Sequence, residues 1–158
     1  MILHGGIGTG KTWTAEAFAQ RLAARGATVG GVVCPRIVRD GDTIGYTVRN
    51  LADNVEMPFS RSGKGAVSIG RFHILQGALR FAREAIESAA DEGRIVFVDE
   101  LGRLELQGGG HAPAVRYLLA SKATAVLLVR TPFVDAVVET FSLERPIGCC
   151  VEAETRDV

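Results

Sequence analysis

The stretch GGIGTGKT, residues 5–12, decides the fold, because it places four glycines in six residues directly before a lysine and a threonine. It matches the pattern G-x-x-x-x-G-K-[ST] and lies between a short apolar segment and a helical pattern, where a phosphate-binding loop belongs. Glycines let successive backbone N–H groups turn inward and form a nest that binds anions. The helix that follows adds its free N-terminal amides. The stretch therefore predicts a loop that holds the triphosphate of a nucleotide.

Each residue of this loop has a predicted role. The Lys11 ammonium can reach the β- and γ-phosphates, and the Thr12 hydroxyl can ligate Mg²⁺. The backbone of the preceding residues would cradle the phosphates; these are Gly5, Gly6, Ile7, Gly8, Thr9 and Gly10. A glycine-rich turn without a ligand is the alternative, and the setting between a strand and a helix argues against it.

An acidic pair follows the apolar run at residues 95–98, which is typical of a parallel strand covered on both faces. Asp99 and Glu100 come next, at the carboxyl edge where open α/β sheets bind ligands. We predict that Asp99 helps to hold Mg²⁺ and that Glu100 orients and polarises the water that attacks the γ-phosphate. A solvated acidic pair at the start of a loop is the alternative.

Apolar runs and helical patterns alternate along the chain, which predicts an α/β fold with a mainly parallel sheet. The predicted strands are MILH (1–4), TVGGVVC (28–34), RIVFVDE (94–100), ATAVLLVR (123–130) and IGCCV (147–151). The predicted helices cover residues 11–26, 72–93, 111–121 and 131–141, the last with Thr131 as N-cap and Pro132 at the first helical position.

The middle of the chain departs from this alternation. Residues 36–50 contain two β-rich runs around DGD, which predicts a β-hairpin outside the parallel sheet. Residues 53–71 are rich in turn formers and predict an extended, partly mobile loop with a short strand.

The composition limits the class of protein. A chain of 158 residues with zero net charge and no repeat or linker predicts a single domain over residues 1–158. The charge balance argues against a nucleic-acid-binding protein, and no apolar run reaches the ~20 residues of a membrane-spanning helix. Because Cys34, Cys149 and Cys150 lack the spacing of a metal or disulfide site, we expect buried, reduced thiols and a cytoplasmic protein. We also expect a monomer or a weak oligomer.

Other polar residues give less direct signals. Arg39, Arg103 and Arg130 are candidates to neutralise charge on the transferring phosphoryl group, although most surface arginines are simply solvated. The histidines lack metal-ligand spacing, and His4 is expected to be structural. Glu105 is either a second acidic ligand or a surface charge, and the surface charge is the preferred interpretation.

The sequence contains no N-K-x-D motif for reading guanine, although residues 99–102 spell the D-x-x-G of regulatory GTPases. We therefore expect loose base selectivity, set by backbone and stacking contacts.

Four blocks taken together resemble the small nucleoside-triphosphatase family that includes the cancer-related nucleoside-triphosphatase and its thermophilic bacterial relatives. They are GGIGTGKT (5–12), VRDGDTIGYTV (38–48), VDELGRLEL (98–106) and ETRDV (154–158). The phosphate loop alone is shared by many kinds of enzyme, whereas the other three blocks in this order are much more specific.

This resemblance implies a Rossmann-like, three-layer phosphate-loop fold and Mg²⁺-dependent hydrolysis of ATP, GTP and other NTPs to NDP and phosphate, with broad base tolerance. By position, it implies that residues 5–12 bind phosphate, that Asp99 handles the metal and that Glu100 is the base. The chain also departs from the family pattern. Trp13 stands where the family usually has a small or hydroxyl residue, Arg103 replaces a lysine, and Thr155 replaces an asparagine.

Two other functions fit the same motifs. One is a small nucleoside or nucleotide kinase, for which the segment 53–71, which contains RSGKGAVSIGR, would supply an arginine-rich lid. The other is a nucleotide-gated binding module whose slow hydrolysis acts as a timer.

Overall fold

The computed structural model describes residues 1–62, 68–69 and 72–152. The strands are β1 (Ile2–Gly5), β2 (Val29–Val33), β3 (Arg36–Arg39), β4 (Asp42–Asn50), β5 (Glu56–Ser62), β6 (Ser68–Ile69), β7 (Phe72–Ile74), β8 (Ile95–Leu101), β9 (Thr124–Arg130) and β10 (Gly148–Cys150). The helices are α1 (Lys11–Ala24), α2 (Gln76–Asp91), α3 (Arg103–Leu106), α4 (Ala112–Ala120) and α5 (Val134–Thr140). Among the described residues, none of the helices has the length and apolar composition needed to cross a membrane.

These strands form one mixed sheet in the order β10-β1-β9-β8-β2-β4-β5-β7-β6, with β3 pairing to β4 beside this path. The first five strands of that order run parallel. From β2 onward the pairing is antiparallel. Strand β2 is therefore the seam between a parallel half, typical of α/β folds, and an antiparallel extension.

Helices cover both faces of the parallel half. Along each central strand the side chains alternate, so that Phe97 packs on one face and Val98 on the other. On the first face, Phe97 meets Ala15 and Ala19 of α1. On the second face, the core includes buried residues of α2, α4 and α5. This arrangement confirms the predicted three-layer α/β fold.

The predicted hairpin is confirmed. Strands β3 and β4 pair antiparallel, and the chain reverses at Asp40 and Gly41, which both have positive φ. Glycine adopts this conformation without strain, which explains why the DGD sequence is suitable for the turn. The closing strand is also confirmed, since β10 pairs parallel with β1.

Three boundaries differ from the predictions. The segment 53–71, predicted as a loop, contains the seven-residue strand β5, and residues 63–67 and 70–71 of that segment lie outside the described part. The helix predicted to start at residue 72 starts at Gln76, because residues 72–74 pair with β5 as β7. The third difference is at Thr131, which begins a 3-10 turn with Pro132 and does not cap α5.

Candidate active site

The phosphate-binding pattern forms the turn between β1 and α1. Gly8 and Gly10 have φ of 78° and 90°, so both lie in the left-handed region that side chains disfavour. Gly5 is required for a different reason. A Cβ at Gly5 would lie 2.5 Å from the Val151 carbonyl oxygen and 2.6 Å from Thr9 Oγ1. The loop is thus held against the chain that follows β10, and α1 begins at Lys11 with its first amides directed to the same turn.

Lys11 folds back over this loop. Its Nζ donates hydrogen bonds to the carbonyl oxygens of Gly6 (2.7 Å) and Gly5 (3.2 Å). Partial burial lowers the pKa of Lys11, while the negative charges of Glu100 and Asp99 oppose that shift. The ammonium group is therefore placed between the glycine turn and the acidic pair.

The glycine loop and the acidic pair meet through one hydrogen bond. Thr12 Oγ1 donates to Asp99 Oδ2 over 2.8 Å, although the residues are 87 positions apart. The structure thus brings the two predicted motifs together at the carboxyl edge of the parallel sheet.

Asp99 is nearly inaccessible and is held by three donors. The backbone N–H of Cys34 donates to Oδ2 over 3.0 Å, beside the Thr12 hydroxyl, and the backbone N–H of Glu100 donates to Oδ1 over 2.8 Å. Burial raises the pKa of Asp99, and these hydrogen bonds oppose the shift. The donors fix the orientation of the carboxylate.

Glu100 has an unusual backbone conformation for its residue type. Its φ is 61°, in the left-handed region, and the β8–β9 pairing shifts register between Val98 and Leu101. This local departure from the strand leaves Glu100 lining the cleft, while Asp99 points inward. Burial, and then the charge of Asp99, raises the pKa of Glu100 to about 7, against the opposing charges of Arg130 and Lys11.

A cleft of about 220 Å³ opens at this edge of the sheet. Its lining residues come from the glycine loop, α1, the start of the hairpin and the ends of β8 and β9: Ile7, Gly8, Gly10, Lys11, Thr12, Trp13, Glu16, Pro35, Arg36, Tyr46, Glu100 and Arg130. Cationic, anionic and apolar side chains share this one cavity.

Of the three candidate arginines, Arg130 alone lines the cleft. Its Nη2 lies 3.7 Å from Glu100 Oε2. Arg39 is an exposed residue at the end of β3, and Arg103 lies over the Phe133 ring at 5.8 Å from its centroid. The sequence-based choice of Arg39 selected the wrong end of the hairpin strand, because the cleft residue is Arg36 at its beginning.

The sequence contains a signal for Arg36. Arg36 lies just past the carboxyl end of β2, separated from it by Cys34 and Pro35. Because the carboxyl ends of parallel strands share one edge of the sheet, Arg36 is expected at the same edge as Asp99. The same rule that selected Asp99 therefore selects Arg36. No sequence pattern indicated Glu16 or Tyr46 as cleft residues.

Of the other predictions, some are corrected and some are confirmed. Glu105 is buried, and its carboxylate accepts hydrogen bonds from the backbone N–H groups of Gly102 and His111, so it is a structural residue and not a surface charge. Cys34 is buried as expected, whereas Cys149 and Cys150 are exposed. His4 has the expected structural contact, at 3.2 Å between Nδ1 and Thr131 Oγ1. The ETRDV block begins beyond the described residues.

The oxygen atoms at this site fit a small, hard cation. Thr12 Oγ1 and Asp99 Oδ2 converge at the loop, and Mg²⁺ is usually held by one or two protein oxygens together with phosphate oxygens and water. Within the described part of the chain, no cluster of three or more His, Cys, Asp or Glu side chains is arranged to hold a metal. The hydroxyl and carboxylate oxygens of Thr12 and Asp99 are the kind of donor that Mg²⁺ prefers.

Comparison with known proteins places this geometry in context. The sequence profile of a family described as NTPase matches residues 1–158. The nucleoside-triphosphatase THEP1 of Methanopyrus kandleri is 32% identical over 146 residues, which cover 92% of this chain and 81% of that protein. THEP1 of Thermofilum pendens is 33% identical over 122 residues, covering 76% of this chain and 67% of that protein.

Two solved structures share the fold. The crystal structure of THEP1 from Aquifex aeolicus superimposes with a TM-score of 0.76 over 100% of this chain and 92% of that chain, at 21% identity. The solution structure of a human cancer-related nucleoside triphosphatase superimposes with a TM-score of 0.72, over 99% of this chain and 89% of that chain, also at 21% identity. At this identity, the likeness concerns the fold.

Proposed function

This chain belongs to the NTPase family and is a nucleoside-triphosphatase, and we propose that it transfers the γ-phosphoryl group of an NTP to water with the help of Mg²⁺. The products are NDP and phosphate. The proposal includes broad tolerance of the base, with ATP, GTP and other NTPs as substrates.

The observation that carries the proposal is the 2.8 Å hydrogen bond between Thr12 Oγ1 and Asp99 Oδ2. It joins a loop suited to phosphate with a buried carboxylate suited to a metal, in one cleft that also contains Lys11 and Glu100. A glycine turn without a ligand would not require a distant acid to meet its threonine.

Different residues bind the phosphates, accept the proton from water and stabilise the developing charge. The amides of residues 5–12 and the Lys11 ammonium bind and orient the phosphates. The Glu100 carboxylate, at the cleft surface, accepts a proton from the attacking water at one of its oxygens. Arg130 holds Glu100 in place through its charge and faces the same cavity, where its guanidinium stabilises negative charge on the phosphoryl oxygens.

The metal site consists of Thr12 and Asp99. The Thr12 hydroxyl directs its hydrogen to Asp99, so its lone pairs would be available to Mg²⁺, and the Asp99 carboxylate would accept a hydrogen bond from a water bound to the ion. When bound, Mg²⁺ neutralises charge on the β- and γ-phosphate oxygens.

The apolar lining of the cleft supports the proposed tolerance of different bases. Its lining includes the apolar side chains of Ile7, Trp13 and Pro35, which contact a base without reading its hydrogen-bonding edge. We further propose that residues 1–158 form a single domain, that the protein acts as a monomer or weak oligomer in the cytoplasm, and that it does not bind nucleic acid.

The test is release of phosphate from ATP, GTP, CTP and UTP in Mg²⁺ buffer, with and without nucleoside and nucleotide acceptors. Phosphate release that no acceptor changes is the expected result. ADP formed without free phosphate, and only with an acceptor, would establish a kinase instead. Turnover that rises many-fold with a protein partner would favour the nucleotide-gated module.

A further inference from the structure

We infer that the indole of Trp13 is the stacking surface for the base of the bound nucleotide, an inference that rests on the proposed NTP-binding function of the cleft. The residue determines affinity for the nucleoside part of the substrate, while residues 5–12 determine affinity for its phosphates. The ligand class is any NTP with a planar base, and no edge of the base is read.

The exposure of Trp13 is the first observation. Its side chain is 74% accessible, although tryptophan is on average highly buried in folded proteins. The core-facing residues of α1 are Ala15 and Ala19, and Trp13 lies away from them at the start of the helix. No aromatic-ring contact or hydrogen bond joins the indole to any of the described residues, so the local fold gives no reason for this side chain.

The location of Trp13 is the second observation. The indole lines the same cleft as Lys11 and Thr12, together with Ile7, which is 79% accessible on the glycine loop. Two of the most exposed large apolar side chains of the described chain thus meet at the cavity that receives the substrate. Exposed apolar side chains grouped at a cleft indicate a ligand, whereas single scattered ones do not.

The position of Trp13 in α1 gives the reason for a base. Trp13 is the third residue of the helix, so its backbone N–H is among the free amides that face the phosphates. The side chain of the same residue therefore flanks the phosphate-binding site. In a nucleotide, the ribose and base lie next to the phosphates. The planar indole of Trp13 can therefore stack on the planar base.

The neighbouring aromatic residue is suited to a different role. The Tyr46 ring packs edge-on against Phe72, with centroids 5.6 Å apart, so it is already part of the antiparallel sheet. Trp13 has its face available. Because every base has a π-face, stacking favours all NTPs and favours the larger purines most, which is the selectivity expected of a cleft without edge contacts.

The first experiment uses the fluorescence of Trp13, which is the only tryptophan in the chain. Titration with a non-hydrolysable ATP or GTP analogue in Mg²⁺ buffer should quench the emission, with a smaller effect from pyrimidine nucleotides. Inorganic tripolyphosphate, which has the charge but no base, should bind with little quenching. Its affinity is measured separately by calorimetry.

The second experiment compares Trp13→Ala with Trp13→Phe. Trp13→Ala should weaken binding of the ATP analogue by about 5- to 150-fold, the range for loss of one base–aromatic stack, and should reduce the preference for purines. Its affinity for tripolyphosphate should stay unchanged, which also shows that the variant is folded. Trp13→Phe should recover most of the loss. Tyr117→Ala, which removes another exposed aromatic side chain, is the matched control and should change neither affinity.

The outcomes separate this inference from the proposed function. If Trp13→Ala binds and hydrolyses every NTP as the parent protein does, the stacking role is wrong and the proposed function stands. If Trp13→Ala weakens the binding of tripolyphosphate as much as the binding of the ATP analogue, Trp13 stabilises the glycine loop and does not stack on the base. If the parent protein binds neither compound, the proposed function itself fails.

Discussion

Thr12 at the start of α1 and Asp99 near the end of β8 share a hydrogen bond of 2.8 Å, and this contact couples the glycine loop to the carboxyl edge of the parallel sheet. Asp99 accepts two further hydrogen bonds, from the backbone N–H groups of Cys34 and Glu100. One carboxylate thus connects the ends of three sequence segments.

Asp99→Asn should lower both the stability of the fold and the affinity for Mg²⁺. An amide replaces one acceptor oxygen by a donor, which would face the N–H or O–H groups now bonded to Asp99, at a cost of about 1–3 kcal/mol in unfolding free energy. The Mg²⁺ concentration that gives half-maximal turnover should rise by at least about tenfold. Thermal unfolding and a Mg²⁺ titration of phosphate release measure the two effects. Parental Mg²⁺ dependence in the folded variant would exclude Asp99 from the metal site.

Lys11→Ala should abolish nucleotide binding or turnover. The ammonium group is the one side-chain cation that the phosphate-loop pattern itself supplies, and its replacement leaves the phosphates bound by amides alone. Equilibrium dialysis with labelled ATP measures binding. Lys122→Ala is the control, since Lys122 is an exposed lysine before β9, at the opposite edge of the sheet. Equal ATP binding by both variants would contradict the role of Lys11.

Glu100→Gln should retain nucleotide binding and lower kcat by about 10²-fold or more, the usual effect of removing a positioned general base. Glutamine keeps the size of the side chain but does not accept a proton from water. Single-turnover phosphate release separates this chemical step from binding. Turnover at the parental rate would show that another group activates the water.

Glu100→Gly should increase the free energy of unfolding by about 1 kcal/mol while it lowers kcat at least as much as Glu100→Gln does. The φ of 61° at this position is unfavourable for any residue with a Cβ and is easily adopted by glycine. Glu100→Gln is the matched control, because it removes the charge beside Asp99 but keeps the unfavourable φ. Urea unfolding of the two variants isolates the backbone contribution, and a glycine variant no more stable than the glutamine variant would argue against strain at Glu100.

Buried His111 should make stability depend on pH. Burial lowers the pKa of His111 to about 4, and its ring stacks on Phe59 with centroids 5.6 Å apart. The unfolded chain binds a proton near pH 6.5 and the folded chain does not, so stability is complete above pH 6.5 and falls as the pH decreases towards 4. The slope from this one group approaches about 1.4 kcal/mol per pH unit.

The control for this prediction is His111→Phe, which retains a ring against Phe59. Glu105, which accepts the backbone N–H of His111, has a pKa raised by burial and is present in both proteins. Urea unfolding between pH 4.5 and 7 should show a shallower pH dependence for the variant. Identical slopes would mean that His111 takes up its proton in the folded state.

The parallel half of the fold was predictable because its signals are local. The glycine loop, the apolar run and the acidic pair are each read from adjacent residues, and the edge rule for parallel strands then brings Thr12 and Asp99 together. The hairpin turn at Asp40 and Gly41 was equally direct, since the turn requires positive φ.

The antiparallel extension was less predictable because its strands depend on their partners. Residues 72–74 continue the apolar pattern of α2, yet hydrogen bonding to β5 makes them a strand, and β5 itself contains Pro58. Register and strand direction decide such cases, and single-residue patterns do not contain that information.

The seam at β2 separates two kinds of structure, with the glycine loop, Lys11 and the acidic pair on the parallel side and the antiparallel strands that carry Arg36 and Tyr46 on the other. The two sides are in contact, because Cys34, at the point where the chain leaves β2 for the hairpin, donates its backbone N–H to Asp99. A shift of strand register on the antiparallel side would therefore move Arg36 and Tyr46 relative to Lys11 and Glu100 and change the shape of the cleft.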